Sequence, residues 1–240
     1  MSGHLGKGVL LSGAICSGLC IALSVTAILA EQIAFSRVDR DNVLGLSQDN
    51  FYAISGWNFL AYDLVHIYVI GIFTLWLVRS LRWEAWVGGS ALIVASLADL
   101  GSLGVNMFLQ MPALSALANG QTVGLPHPEA GFEVIRSTLD FSQASFALVG
   151  SFFLASAAMR APGIPRLAGW FILVGFPIGI FQIAEVGVHT FWTDLVDEWL
   201  TPMSEIMQHF VIALCLWELF WQAQRSGGLP APRLKRRPIF

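Results

Sequence analysis

Charge is what this sequence has least of. Asp, Glu, Lys and Arg make up 12% of its 240 residues, about half the share of an ordinary globular chain. That scarcity excludes a disordered chain, which stays open through high charge and low hydrophobicity. It also excludes a nucleic-acid-binding surface, which needs a basic patch or stripe. Cysteine is scarce too: three residues are too few for a disulfide framework. Cys16 and Cys20, one helical turn apart, and Cys215 read as small, apolar helix-packing residues. No phosphate-cradling Gly loop, His-Glu-x-x-His or Asp-rich prenyl-transfer pair occurs. Nor does a Gly-x-Ser-x-Gly elbow, a mid-span lysine for a retinal Schiff base, or the repeat symmetry of common secondary transporters.

What is present is apolar. Hydrophobic types reach 55%, with nine Trp and seventeen Phe, and the mean hydropathy is +0.67. A membrane-crossing helix needs ~20 mostly apolar residues. Six such runs occupy roughly 8–33, 52–78, 86–111, 136–160, 167–190 and 203–224. The fold expected is an all-α, polytopic transmembrane bundle of six helices, a single domain over 1–240 with a basic tail at 225–240. The first run outlasts the ~7–15-residue core of a signal peptide, and Ile28 spoils a small-x-small site before Ala30, so it reads as an uncleaved helix. Pro177 falls inside the fifth run and predicts a kink there; Pro202 opens the sixth, where its missing N–H costs nothing.

Positive charge predicts the orientation. Lys7, Arg79, Arg82, Arg160, Arg166, Arg225, Arg233, Lys235, Arg236 and Arg237 lie on the side of the termini, against Arg37, Arg40 and Arg136 on the other. Positive loops stay in the cytoplasm, so both termini are expected there, in a bacterial inner membrane. The opposite loops carry Asp39, Asp41, Asp49, Glu129, Asp194, Asp197 and Glu198. The lipid bilayer is the one partner this pattern requires.

The few ionisable residues inside the spans carry the functional signal, because burying charge in a membrane is costly. Counting from the flanking arginines at 1.5 Å per residue, Asp63, His66, Asp99 and His209 fall about 5–12 Å below the outer boundary. Asp140, Glu185 and Glu205 lie near it, and His189 just above. Asp63 and His66 are spaced i,i+3; Glu185 and His189, like Glu205 and His209, are spaced i,i+4. Each pair therefore shares a helix face. The fifth and sixth helices run antiparallel, which predicts two rungs, Glu185 level with His209 and His189 level with Glu205.

Imidazole with carboxylate suits a divalent transition metal such as zinc or iron. In that reading His66, His189, His209 and Asp99 are the ligands, and Glu185, Glu205 or Asp63 serves in catalysis on a lipid or other apolar substrate entering from the outer leaflet. The same residues suit metal-free acid–base chemistry through a Glu–His pair. A non-enzymatic transporter or an accessory subunit with membrane-complex partners is the third reading. Haem between His66 and His209 fits less well among so many carboxylates. The plain alternative is that each rung is a hydrogen-bonded pair holding helices together.

The stretch 153–170, Phe-Leu-Ala-Ser-Ala-Ala-Met-Arg-Ala-Pro-Gly-Ile-Pro-Arg-Leu-Ala-Gly-Trp, resembles the helix 4–5 junction of bacterial six-helix integral-membrane families of unknown function. That resemblance implies a helix count and no activity. The His and Asp set is also similar to that of the ceramidase and adiponectin-receptor superfamily. The sequence departs from its pattern in having Glu205-x-x-x-His209 and no seventh helix, so that activity is not carried over.

Overall fold

The computed structural model of the chain describes residues 6–39, 42–79, 82–118, 128–161, 164–185 and 200–225. Every regular element among them is helical: α1 (Lys7–Arg37), α2 (Val43–Ser47), α3 (Asn50–Leu77), α4 (Arg82–Val105), a π-helical turn (Asn106–Gln110), α5 (Met111–Ala118), α6 (Pro128–Arg160), α7 (Ile164–Glu185) and α8 (Thr201–Arg225). Six stretches are long and apolar enough to cross a membrane, the third being α4 continued through the π turn into α5. His4, His127, His189 and the basic tail beyond Arg225 lie outside the described residues.

The helices outrun the apolar runs that signal them. α6 begins at Pro128 where the run begins at 136, and the third stretch continues past 111 to Ala118. Hydropathy marks the apolar part of a helix, whereas caps and backbone hydrogen bonds decide where it stops. Asp49 is such a cap: its Oδ1 accepts from the N–H of Phe51 at 2.7 Å and of Tyr52 at 3.2 Å. Asn42 likewise accepts from Gly45 at 2.9 Å and starts α2, a turn of helix inside the segment read as a loop. The π turn precedes Pro112, which has no N–H to give the Phe108 carbonyl, and the helix widens there instead of ending. α7 runs on through Pro177.

Packing follows chain order. α1 lies on α3, α3 on α4, α4 on α6, α6 on α7, α7 on α8, and α8 returns to α1, closing a ring. Short links between antiparallel neighbours favour such an order. The apolar core occupies the half of the ring nearer the termini. Leu10, Val69, Phe73, Leu77, Leu154, Ile172, Ile212 and Leu216 are buried there, together with Cys20 and Cys215. All three cysteines are free thiols.

α4 meets α6 through glycines. A Cβ on Gly88 would sit 2.8 Å from Leu154 Cα and closer still to its backbone nitrogen, and one on Gly150 would sit 2.8 Å from the backbone nitrogen of Leu92. Near the terminal end of the same interface, Arg160 Nη1 donates to Glu84 Oε1 at 2.6 Å and Nη2 to Ser156 Oγ at 3.1 Å. The Glu84 side chain is only 9% exposed and the arginine 54%. Arg160→Ala should therefore cost about 1–3 kcal/mol by stranding a shielded carboxylate. Glu84→Gln, which removes the charge to be stranded, should cost less. Thermal denaturation of the detergent-solubilised variants compares them, and equal losses would show that the ion pair contributes through packing alone.

Candidate functional site

Above the apolar core the interior turns polar. A cavity of ≈ 90 Å³ opens between α3, α4, α6, α7 and α8. Tyr62, Asp63 and His66 reach it from one face of α3, Ser96 and Asp99 from α4, and Glu205 and Gln208 from α8. Gln143 and Ser151 on α6 and Gln182 on α7 complete a wall of uncharged polar groups. At ~10–15 Å³ per water, the space suits several waters or one polar group of a ligand.

Two imidazoles join α3 to α8. His66 Nδ1 stands 2.8 Å from His209 Nε2, with the rings 4.9 Å apart and nearly perpendicular. His209 is 1% exposed. Its other ring nitrogen, Nδ1, lies 3.2 Å from Ser17 Oγ on α1. Ser17 has a single hydroxyl proton, and it is directed at the His209 carbonyl oxygen, 3.0 Å away. The serine oxygen is then left to accept from His209 Nδ1–H, which makes Nε2 an acceptor in the neutral ring. His66 Nδ1–H is the donor in the bond between the rings.

The network continues on both sides of this pair. Tyr62 OH lies 3.4 Å from His66 Nδ1, and the Tyr62 ring packs edge to face on His209 at 5.5 Å. The Glu205 carboxyl lies beside the tyrosine hydroxyl at the cavity. Asp63, 3% exposed, faces the carboxyl of Asp99. Its Oδ2 is shielded from solvent and receives no hydrogen bond from a donor group. Two carboxyl groups in contact are held together when one proton is shared between them, as in other paired acids. Carboxyls, phenol and imidazoles thus line one buried space.

Asp63, His66, Asp99, Glu205 and His209 are therefore brought together. Of the expected rungs, only the His209 and Glu205 ends fall among the described residues. Both ring nitrogens of His209 are engaged by Ser17 and His66, and Glu205 turns to Tyr62, because the face of α8 that carries both residues looks toward α1 and α3. Glu185 ends α7, but its side chain and all of His189 lie outside the described residues. Among the described residues, no group of three or more His, Cys, Asp or Glu is arranged to hold a metal ion. Asp140 accepts from Ser102 Oγ at 2.5 Å, and Arg136 donates to Gln110 Oε1 at 3.2 Å.

Because α3 starts at Asn50 and the third stretch runs to Ala118, Asp63 and Asp99 fall at mid-length of their helices. Ser17, Tyr62, Gln143, Gln182 and Gln208 went unnoticed in the sequence, since attention to ionisable residues passes over hydroxyls and amides. Tyr62 adjoins Asp63 and Gln208 adjoins His209, and that adjacency was the available signal. Compared with known proteins, the chain matches no family model, no curated protein and no solved structure.

Proposed function

We propose that this chain is a bacterial inner-membrane protein, both termini cytoplasmic, that takes up and releases protons at the buried His/carboxyl cluster. The work of those protons is metal-free acid–base chemistry on a polar group that a hydrophobic substrate presents to the cavity. The observation that carries the reading is the 2.8 Å bond between His66 and His209, set in a network with Tyr62, Glu205, Asp63 and Asp99. Each member has a neighbour that can take or give a proton, which is what general acid–base catalysis requires. The cavity is too small for a whole apolar substrate and fits the reacting group alone. Ligation of zinc or iron by His66, His209 and Asp99 with His189 is the competing use of these residues, and it requires His66 and His209 to turn away from each other.

Groups that interact this closely titrate as one unit. In pH-difference infrared spectra of the protein in lipid nanodiscs, Asp63→Asn, Asp99→Asn and Glu205→Gln should each remove carboxyl intensity. His66→Gln, which has no carboxyl to lose, should move the pH at which the remaining bands change. Carboxyl bands that titrate identically in His66→Gln and the unsubstituted protein would overturn the reading. Stoichiometric zinc or iron by elemental analysis, lost on His66→Ala, would replace it with the metal site.

A further inference from the structure

Three glutamines of the polar wall are not used by the acid–base cluster. Gln143 on α6, Gln182 on α7 and Gln208 on α8 all line the ≈ 90 Å³ cavity. Among the described residues none of the three side chains has a hydrogen-bond partner, and none of their amide atoms is closed to a water-sized neighbour. An amide inside a membrane-spanning helix is costly to leave unpaired, so whatever fills the cavity supplies their partners. Each brings two N–H donors and one carbonyl acceptor. Ser151 adds a hydroxyl beside them. A Cβ on Gly175 would stand 2.6 Å from Ser151 Oγ and 3.6 Å from Gln208 Nε2. The bare glycine therefore leaves a notch in which one ligand group lies next to both.

Charge narrows the occupant. Asp63, Asp99 and Glu205 line the same space, and among the described residues no lysine or arginine does. A phosphate or carboxylate head would meet those carboxyls with no cation to offset them. An ammonium head brings donors alone and leaves the glutamine N–H groups without acceptors. A single hydroxyl gives and accepts, but it has one proton for three amide carbonyls. A head with several hydroxyls meets donors and acceptors together, and one of glycerol size suits a space of several waters. We propose that the cavity receives the polyol head of an uncharged amphiphile of the monoacylglycerol class, held by Gln143, Gln182 and Gln208, with its acyl chain in the bilayer. The glutamines set the choice of head, and the acid–base groups face it from the other helices. This rests on the reading that a hydrophobic substrate presents a polar group to the cavity.

A monolauroylglycerol with a diazirine beside its ester, photolysed with the protein in nanodiscs and mapped by mass spectrometry, tests this. Labelling is expected on residues that line the cavity; Gln182 and Gln208 lie on one tryptic peptide, between Arg166 and Arg225. Unlabelled monolauroylglycerol should compete at about tenfold lower concentration than dodecanol, dodecylamine or dodecanoate, the effect of one or two added hydrogen bonds. Gln143→Met, Gln182→Met and Gln208→Met keep side-chain length and lose the amide. Each should shrink that preference while the melting temperature stays near that of the parent. Labels spread evenly around the lipid-facing helices, equal competition by any of the three comparison amphiphiles, or a preference unchanged in all three variants would overturn the proposal. Carboxyl titration that depends on His66 without head-group preference would sink this proposal alone, and preference without that titration would sink the acid–base reading alone.

Discussion

Replacing Gly88 with alanine is expected to lower the stability of the bundle by about 3 kcal/mol, and replacing it with leucine to prevent α4 from seating on α6. The reason is what stands opposite. A Cβ at 88 meets Leu154 backbone nitrogen, Cα and Cβ, and none of these is the far end of a side chain that can swing aside. Relief requires the two helices to separate along the interface that also holds Gly150 and the Arg160–Glu84 pair. Helices this apolar gain little in lipid from hydrophobic burial against one another, so close backbone approach through small residues supplies much of their association.

Gly18→Ala is the matched control. Gly18 lies in the middle of α1 with nothing within 4 Å of an added Cβ. Alanine there should stabilise by about 0.5–1 kcal/mol through helix propensity alone. Thermal denaturation and size-exclusion profiles in mild detergent read both variants. Gly88→Ala as stable as Gly18→Ala would show that α4 and α6 do not meet at this glycine.

The six helices were legible in the sequence, because composition and run length report them directly. So was the polar layer: Asp63, His66, Asp99, Glu205 and His209 stand out against apolar surroundings by residue type. What spacing could not supply was azimuth. An i,i+4 interval places Glu205 and His209 on one face of α8 but does not say which neighbour that face meets. Ring closure of α8 onto α1 gives His209 the partners Ser17 and His66. Nor could hydropathy show the π turn at Asn106–Gln110, where Pro112 reads as the end of a helix rather than as the cause of a wider turn within it.

His209 is the residue whose loss should be felt most within the cluster. His209→Ala is expected to cost about 2–4 kcal/mol, combining the void left by a fully buried ring with hydrogen-bonding groups of Ser17 and His66 stranded in an apolar setting. Stability alone does not separate a structural pair from a working one, so the double replacement His66→Phe/His209→Phe is the informative variant. Two phenyl rings fill the same space between α3 and α8, keep the edge-to-face contact with Tyr62, and need no partners. A pair that only holds helices should be well replaced, since exchanging both members of a buried polar pair for apolar groups is often neutral or stabilising. The expected result is a double variant folded and near parental stability, with the pH dependence of the Glu205 carboxyl band changed because its neighbour Tyr62 has lost His66. If that band titrates as in the parent while the double variant is stable, the imidazoles are a helix clasp and the acid–base reading is overturned.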